Sequence, residues 1–419
     1  MIDPKDILEK REALQENLQK RSVTFNFDLF DRLANQRKDL LSLSQQLQAD
    51  ANQNAKFMKS ANAQERPELI ARGKDLKTQI ASHKADIDHV NTQYDALVGS
   101  LPNWTHPGVP DGGEEDFTLI ETHLAPKQFS FKPKDHLELM QQHNLIDFEK
   151  GAAVAGSKFY YLKNEAVYLE EALTLYALDI LRTEGFEIFR TPDLAKTSAL
   201  EATGYSPRGE ESQIYRIEGH DLNLIGTSEI TLGAYYTGET LDFANGSRRM
   251  VGLSHCFRTE SGAYGSHSKG LYRVHQFSKV ELYILCRPED SEKEHQCLLD
   301  IERKLLDPLE LPYRVIDVAA GDLGAPAYRK FDIEAWMPGR DGGSYGEVTS
   351  ASNCLDFQSR RLKIKTKSDG VKSFVHTLNA TALAMPRIVL ALIENGQQEN
   401  GSIVLPKALH RYLPFKKIG

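Results

Sequence analysis

Cysteine is scarce in this chain: four in 419 residues, at Cys256, Cys286, Cys297 and Cys354, with no CxxC pair among them. That scatter excludes a disulfide framework and a zinc ribbon and fits a reducing compartment, where buried free thiols are the ordinary use of cysteine. Long apolar runs are missing too. The longest candidates, such as Ile388 to Ile393, fall far short of the roughly 20 residues a membrane helix needs, so no membrane partner is expected. The N-terminus, MIDPKDILEK, has neither an apolar signal core nor an Arg/Ser-rich, acid-poor leader, and it reads as the start of a folded helix. Positive charge is not in excess. Lys and Arg total 51 against 59 Asp and Glu, a balance of −8, so a nucleic-acid partner would need a local basic surface. With 40% hydrophobic and 26% charged residues, the chain is a globular protein of two or three domains rather than a disordered one.

Glycine is the next absence. Before Gly99 only Gly73 occurs, whereas Gly and Pro punctuate every later stretch, so the first hundred residues are predicted mostly helical. Leu69, Leu76, His83, Val90 and Leu97 recur every seven residues, with Gly73, Ile80, Ile87 and Tyr94 interleaved, which is a coiled-coil seam. Leu33, Leu40 and Leu47, with Leu43 between, supply a partner stripe, and Pro67 sits near a plausible second helix start. The pattern predicts two antiparallel helices. Between Lys56 and Lys84, seven basic residues face three acidic ones, leaving +4 at the tip of this hairpin. An RNA arm gripping a phosphate backbone and a solvated helical face both fit that charge.

LPNWTHPGVPDGGEED then cannot continue a helix and reads as a linker, which puts a domain boundary near Asn103, with an arm over 1–103 and a body over 104–419. In the body, helices are expected at Glu165 to Arg182 and Leu383 to Glu394. Strands are expected at Phe186 to Arg190, Leu222 to Ile225, Gly252 to Thr259 and Tyr272 to Leu285. Strands outnumber crossover helices, so the body is expected to be an α+β domain with a mainly antiparallel sheet flanked by helices.

The segment CFRTESGAYGSHSKGLYRVHQFSKVELYIL carries the most chemistry. Period-two alternation puts Cys256, Arg258 and Glu260 on one face of its first strand and Arg273, His275, Phe277, Lys279 and Glu281 on one face of its second. Charged and aromatic residues alternating along strands face either a polar cavity or solvent.

This segment resembles motif 2 of the class II aminoacyl-tRNA synthetases, a Phe-Arg-x-Glu strand, a loop and a returning strand. Together with the helical arm, LPNWTHPGVP, GFEIFRTPDL with Pro192, LIGTSE, GEVTSASNCLDFQSRR and HTLNATALAMPR, it resembles the seryl-tRNA synthetases along nearly the whole chain. The resemblance implies ATP-dependent ligation of L-serine to tRNA(Ser) through seryl-adenylate. It implies Arg258 on the α-phosphate, where a planar permanent cation suits two oxygens. Glu260 would reach the adenine amino group, Phe277 would stack on adenine and the backbone near Val274 would complete the seat. Glu347 and Ser350 would hold Mg²⁺ and phosphate through hard oxygens, and Arg387 would clamp the far end of the triphosphate from a helix beginning near Ala382. Thr227, Glu229, Glu281, Asn379 and Thr381, with Arg258, would form the serine pocket. No zinc is implied. Taken alone, Phe277 fits ordinary core packing and Arg387 a helix-surface ion pair.

The resemblance further implies a homodimer through the stretch before Pro192, an arm that grips the long variable arm of the tRNA, and a loop Ser261 to Gly270 that touches its acceptor end. Three departures stand out. Gly265, Ser266, His267 and Ser268 replace the usual Gly-Arg-Asp-Thr; Ala380 replaces a glycine and puts a methyl where backbone and substrate come close; Gly226 replaces a proline, which should be tolerated. The loop resembles fungal mitochondrial members, so a mitochondrial matrix enzyme written without its leader is expected, with a bacterial cytoplasm as the alternative. A catalytically inactive paralogue should have lost ionic residues that are all present here, and a ligase for a carrier protein would lack the arm.

Overall fold

The computed structural model describes residues 1–205, 213–260, 269–368 and 370–419. The chain folds as two compact units, Met1–Pro102 and Asn103–Gly419. Asn103 is buried in the second unit because its amide donates to the carbonyls of Pro326 and Cys354, at 2.9 and 2.8 Å.

The first unit is built on two 34-residue helices, Phe27–Ser60 and Arg66–Gly99, each about 50 Å long at the ordinary helical rise. The seam is the one the heptad predicts: Leu76, Val90 and Tyr94 are buried, and the remaining seam positions are at least half-covered. Opposite them lie Phe30, Leu33, Leu40 and Leu47, with Arg37 and Ser44 in the intervening places. Leu43 does not join this stripe; it is 44% exposed, because the four-then-three spacing reaches Ser44 instead. Polar pairs set the register. Arg37 Nε donates to Asn91 Oδ1 at 2.8 Å, and buried Asn54 donates to Leu69 O at 3.0 Å beside Gly73, where a side chain would crowd the amide. At the turn, Asn62 Oδ1 accepts from Glu65 N while Glu65 Oε2 accepts from Asn62 N, a reciprocal cap that starts the second helix. All seven basic residues between Lys56 and Lys84 are exposed.

The second unit is organised on an eight-stranded sheet. Numbered along the chain, its strands are β1 Thr118–His123, β2 Glu187–Arg190, β3 Arg248–Phe257, β4 Gln276–Cys286, β5 Tyr313–Asp317, β6 Arg329–Met337, β7 Ser344–Asn353 and β8 His376–Ala384. They lie in the order β1-β5-β6-β7-β8-β4-β3-β2, antiparallel except for the edge pair β2 and β3, as the α+β reading expects. One face packs on the helices Glu165–Thr183, Ser291–Leu306 and Met385–Gly396. The first of these turns Ala166, Leu169, Leu173, Tyr176 and Ala177 inward at helical spacing, against Val251, Val280, Leu282, Ile284 and Ala380 of the sheet. Each fully buried Leu, Ile or Val contributes about 1.5–3 kcal/mol, so this face is the core.

Several boundaries differ from the sequence expectation. The strand expected at Gly252 to Thr259 runs Arg248–Phe257, so Arg258 and Glu260 lie beyond its end rather than on its face. The helix expected near Ala382 starts at Met385, because β8 continues pairing with β4 through Ala384. The strand expected from Tyr272 starts at Gln276, after a 3₁₀ turn at Gly270–Tyr272. His275 therefore leaves the predicted face: its ring stacks on Phe159 and its Nδ1 lies 2.8 Å from Arg258 O.

Candidate active site

The other face of the sheet is polar at its centre. Register places Gly252 opposite Glu281, Cys256 opposite Phe277 and Thr381 opposite Glu281, so Phe277, Lys279 and Glu281 rise from β4 beside Asn379 and Thr381 of β8. Arg258 follows the end of β3, with its Nε donating to Gly226 O at 3.3 Å and its guanidinium over the Phe277 ring. Gly226 itself has room for a Cβ, with the nearest atom, Phe257 O, 3.6 Å away.

Three cavities share walls here. The largest, about 550 Å³, is lined by Glu229, Arg258, Glu260, Glu281, Glu347, Ser350, Asn379 and Thr381, among others. A small one, about 60 Å³, adds Val274, Phe277 and Arg387. A third, about 470 Å³, continues past Glu347 and Arg387 to Arg314 and Arg340. Every residue that the resemblance nominates lines one of these cavities except Thr227, which is buried with its hydroxyl accepting from Glu229 N at 3.2 Å. Thr227 shapes the start of the short helix Glu229–Ala234 rather than the cavity wall.

Two buried carboxylates dominate the first cavity. Glu229, 5% exposed, accepts from Tyr205 Oη at 2.8 Å, Gln358 Nε2 at 2.7 Å and Asn379 Nδ2 at 3.0 Å. Burial, aided by repulsion from Glu281, nevertheless lifts its pKa to about 7, against the pull of these donors and of Lys279. Glu281 is also raised by burial, although Lys279 at 2.6 Å and Arg258 offset part of that. A pair of carboxylates so placed favours a cation between them. Across the cavity the signs reverse. Arg387 Nη1 donates to Glu347 O at 3.0 Å and lies 3.4 Å from its carboxylate, while its guanidinium sits over the Tyr272 ring. Burial alone would raise the Glu347 carboxyl, but Arg387, Lys330 and Arg258 outweigh it and hold the group below its usual range. Glu260, at a positive φ of 49°, pairs with Arg273 at 3.3 Å. A cavity with anionic and cationic ends suits a substrate carrying an ammonium group and a phosphate chain.

The sequence reading did not give Tyr205, Gln358, Lys279, Lys330 or Tyr272 a role. Lys279 shares the period-two face with Phe277 and Glu281, a signal that was present, and Tyr272 stands in the same segment just before β4; Tyr205, Gln358 and Lys330 arrive from distant segments. Ala380 corrects an expectation. Alternation turns its methyl away from Asn379 and Thr381 into the core, fully buried on the helix-covered face, so it does not narrow the cavity. The altered residues Gly265 to Ser268, and with them Ser261 to Ser268 of the loop, lie outside the described residues.

Residues 1–105 match the seryl-tRNA synthetase N-terminal domain, and residues 214–396 match the class II tRNA synthetase core domain for G, H, P, S and T. The serine–tRNA ligase of Treponema denticola is 48% identical over the full length of both chains. The chain belongs to the seryl-tRNA synthetases. That of Rhodopirellula baltica is 48% identical over 99% of this chain and 98% of its own. The crystal structure of the seryl-tRNA synthetase from Pyrococcus horikoshii complexed with ATP superposes with a TM-score of 0.87 at 35% identity, covering 100% of this chain and 99% of that one. A seryl-tRNA synthetase of the fungal mitochondrial kind finds no support among these relatives, which are bacterial and archaeal.

Proposed function

We propose that this seryl-tRNA synthetase activates L-serine with ATP in the cavities described and transfers the seryl group to tRNA(Ser). The observation that carries the reading is charge placement: buried Glu229 and Glu281 at one end, Arg258 and Arg387 toward the other. The carboxylates take the ammonium of serine, with Asn379 and Thr381 closing the side-chain space and Thr227 holding the helix that carries Glu229. The serine carboxylate then attacks the α-phosphorus in line and pyrophosphate leaves, with Arg258 and Arg387 stabilising the charge that develops. Phe277 and Val274 seat the adenine and Glu260 reads its amino group.

Mg²⁺ fits the residues present. Glu347 is kept ionised and 41% exposed toward the cavity, and Ser350 adds a hydroxyl. Two protein oxygens are few, as is usual for an ion that takes its other ligands from phosphate and water. When bound it would neutralise phosphate charge.

In the second step the terminal ribose hydroxyl of tRNA attacks the activated carbonyl of seryl-adenylate, forming the ester as the anhydride bond breaks and AMP leaves. We assign the first unit, residues 1–102 rather than 1–103, to the grip on the tRNA through the exposed basic tip, with 103–419 as the catalytic body. The bacterial relatives favour a bacterial cytoplasm over a mitochondrial matrix as its setting. A homodimer is the expected form, and a stable monomer in light scattering at micromolar concentration would remove it. ATP–pyrophosphate exchange with serine, threonine, alanine or no amino acid tests the activation step and its specificity. Exchange that requires serine supports it, since a hydroxyl-reading pocket rejects alanine; no exchange with any of them would turn the reading toward an inactive RNA-binding paralogue.

A further inference from the structure

Glu394 and His136 form a buried pair that the reaction scheme leaves without a task. Glu394 lies in the helix Met385–Gly396, two turns beyond Arg387, and is 1% exposed. Its carboxylate takes three donors: His136 N at 2.9 Å, His136 Nδ1 at 2.8 Å and Gly339 N at 2.8 Å. With Nδ1 carrying the proton, Nε2 of the same ring is an acceptor, and the backbone N–H of Leu271 donates to it at 3.2 Å. The tautomer is thus dictated from both sides.

The approach is close. A Cβ at Gly270, where φ is +60°, would meet His136 Nε2 at 2.2 Å, and one at Gly339 would meet the Asp135 backbone at 2.3 Å. Glycine at both contact points lets three separate elements meet on one imidazole–carboxylate pair. Each element delivers a cation to the phosphate-facing cavities. The helix of Glu394 carries Arg387, the turn at Gly339 carries Arg340, and the turn at Gly270–Tyr272 runs directly into Arg273. The Tyr272 ring sits under both Arg387 and Arg340, at 4.7 and 4.5 Å. Asp135, next to His136, also pairs with Lys269, but that lysine is exposed and the pair is open to screening by salt.

We infer that His136 and Glu394 are positioning residues for the triphosphate end of the ATP site. They pin the returning root of the motif 2 loop so that Tyr272, Arg273, Arg340 and Arg387 hold one geometry before ATP arrives. The inference rests on the ATP reading above. A purely structural pair would affect stability, and would affect serine and ATP alike.

The test is pyrophosphate exchange by the full-length protein with separate KM values for ATP and serine, alongside thermal unfolding. His136→Phe keeps the ring and removes both hydrogen bonds. His136→Gln restores a donor and an acceptor on one planar group. The expected result is a rise of roughly fivefold or more in the ATP KM for His136→Phe, about the effect of one or two lost hydrogen bonds. The serine KM should stay within twofold, and His136→Gln should recover most of the loss. Equal changes in both KM values, or an unchanged ATP KM, would overturn the inference. If His136→Phe does not fold, Glu394→Gln decides by the same split, because its one amide oxygen serves the two His136 donors and its NH2 then opposes the N–H of Gly339, releasing the turn that carries Arg340. A parent enzyme without serine-dependent exchange would instead refute the functional reading itself.

Discussion

Replacing Gln358 by methionine gives a sharp test of how the serine pocket is held. Gln358 is fully buried, and its amide is oriented by four partners: Oε1 accepts from Tyr283 Oη at 2.8 Å and Thr377 Oγ1 at 2.7 Å, and Nε2 donates to Thr203 O at 2.9 Å and Glu229 Oε1 at 2.7 Å. A flipped amide would set its oxygen against a carbonyl and a carboxylate, so only one orientation is tolerable. Gln358→Met removes one charge-assisted hydrogen bond from Glu229, worth about 1.5–3 kcal/mol. That loss delays the ionisation of Glu229 by roughly one to two pH units. Because Glu229 already titrates at about pH 7, half of it is ionised there in the parent protein, and roughly 1–10% would be in the variant. The serine KM at pH 7 should therefore rise roughly 5- to 50-fold. At pH 8.5 the parent and variant should converge to within about fourfold, as both become ionised. Stranding Thr203 O and two hydroxyls costs about 1–3 kcal/mol of stability per group, so the comparison belongs well below the variant's unfolding temperature. Pyrophosphate exchange across this pH range gives both KM values. A serine KM that is unchanged, or raised equally at both pH values, would refute the reasoning.

The parent protein should show the same ionisation directly: kcat/KM for serine climbs about tenfold per pH unit below pH 7 and levels off above it, because serine needs Glu229 charged; a profile flat from pH 6 to 8 would contradict this. Glu302 is fully buried on the helix Ser291–Leu306, and burial, with repulsion from Asp332, holds its pKa well above the usual range against the pull of Thr349. The native state therefore keeps a proton that the unfolded chain releases, so stability falls as pH rises above the ordinary carboxylate range. Glu302→Gln should unfold at a higher temperature than the parent at pH 8, with the difference shrinking toward pH 4. Deleting Asn35 to Val90 should leave serine-dependent exchange within about twofold and lower tRNA charging at least tenfold, since phosphate contacts dominate affinity for nucleic acid; equal charging would give the arm another task.

The two parts of the chain were legible to different degrees because their periodicities differ in how much they constrain. The heptad from Leu69 to Leu97 is a long, redundant pattern, and it located the seam to the residue; only the short stripe before it admitted Leu43 in place of Ser44. Alternation in β4 likewise grouped Phe277, Lys279 and Glu281, which need nothing beyond one regular strand. Gln358, Tyr205, His136 and Glu394 were illegible by any local rule. Each acts across a sequence separation that no spacing encodes, 129 residues from Gln358 to Glu229 and 258 from His136 to Glu394.

Glu347 and Ser350 are the more instructive pair. They stand three apart on β7, so a regular strand would send them to opposite faces, and period two alone argues that they cannot share a ligand. They line the same cavity because the register with β6 shifts: Ile333 pairs with Thr349 and Glu334 with Glu347, leaving Val348 as an extra residue buried in the core. That bulge turns an odd spacing into a common face. A second shift, between Thr381 and Leu383 where β8 meets β4, lies beside the serine pocket. Neither bulge residue is a glycine, so the sequence bears no mark of either. The two side chains that would share a metal ion are thus brought together by a backbone irregularity, which makes Val348 a residue to probe. Deleting it should restore alternation, turn either Glu347 or Ser350 away from the cavity, and abolish exchange. A deletion variant that folds and still activates serine would show that the bulge has no part in gathering the site.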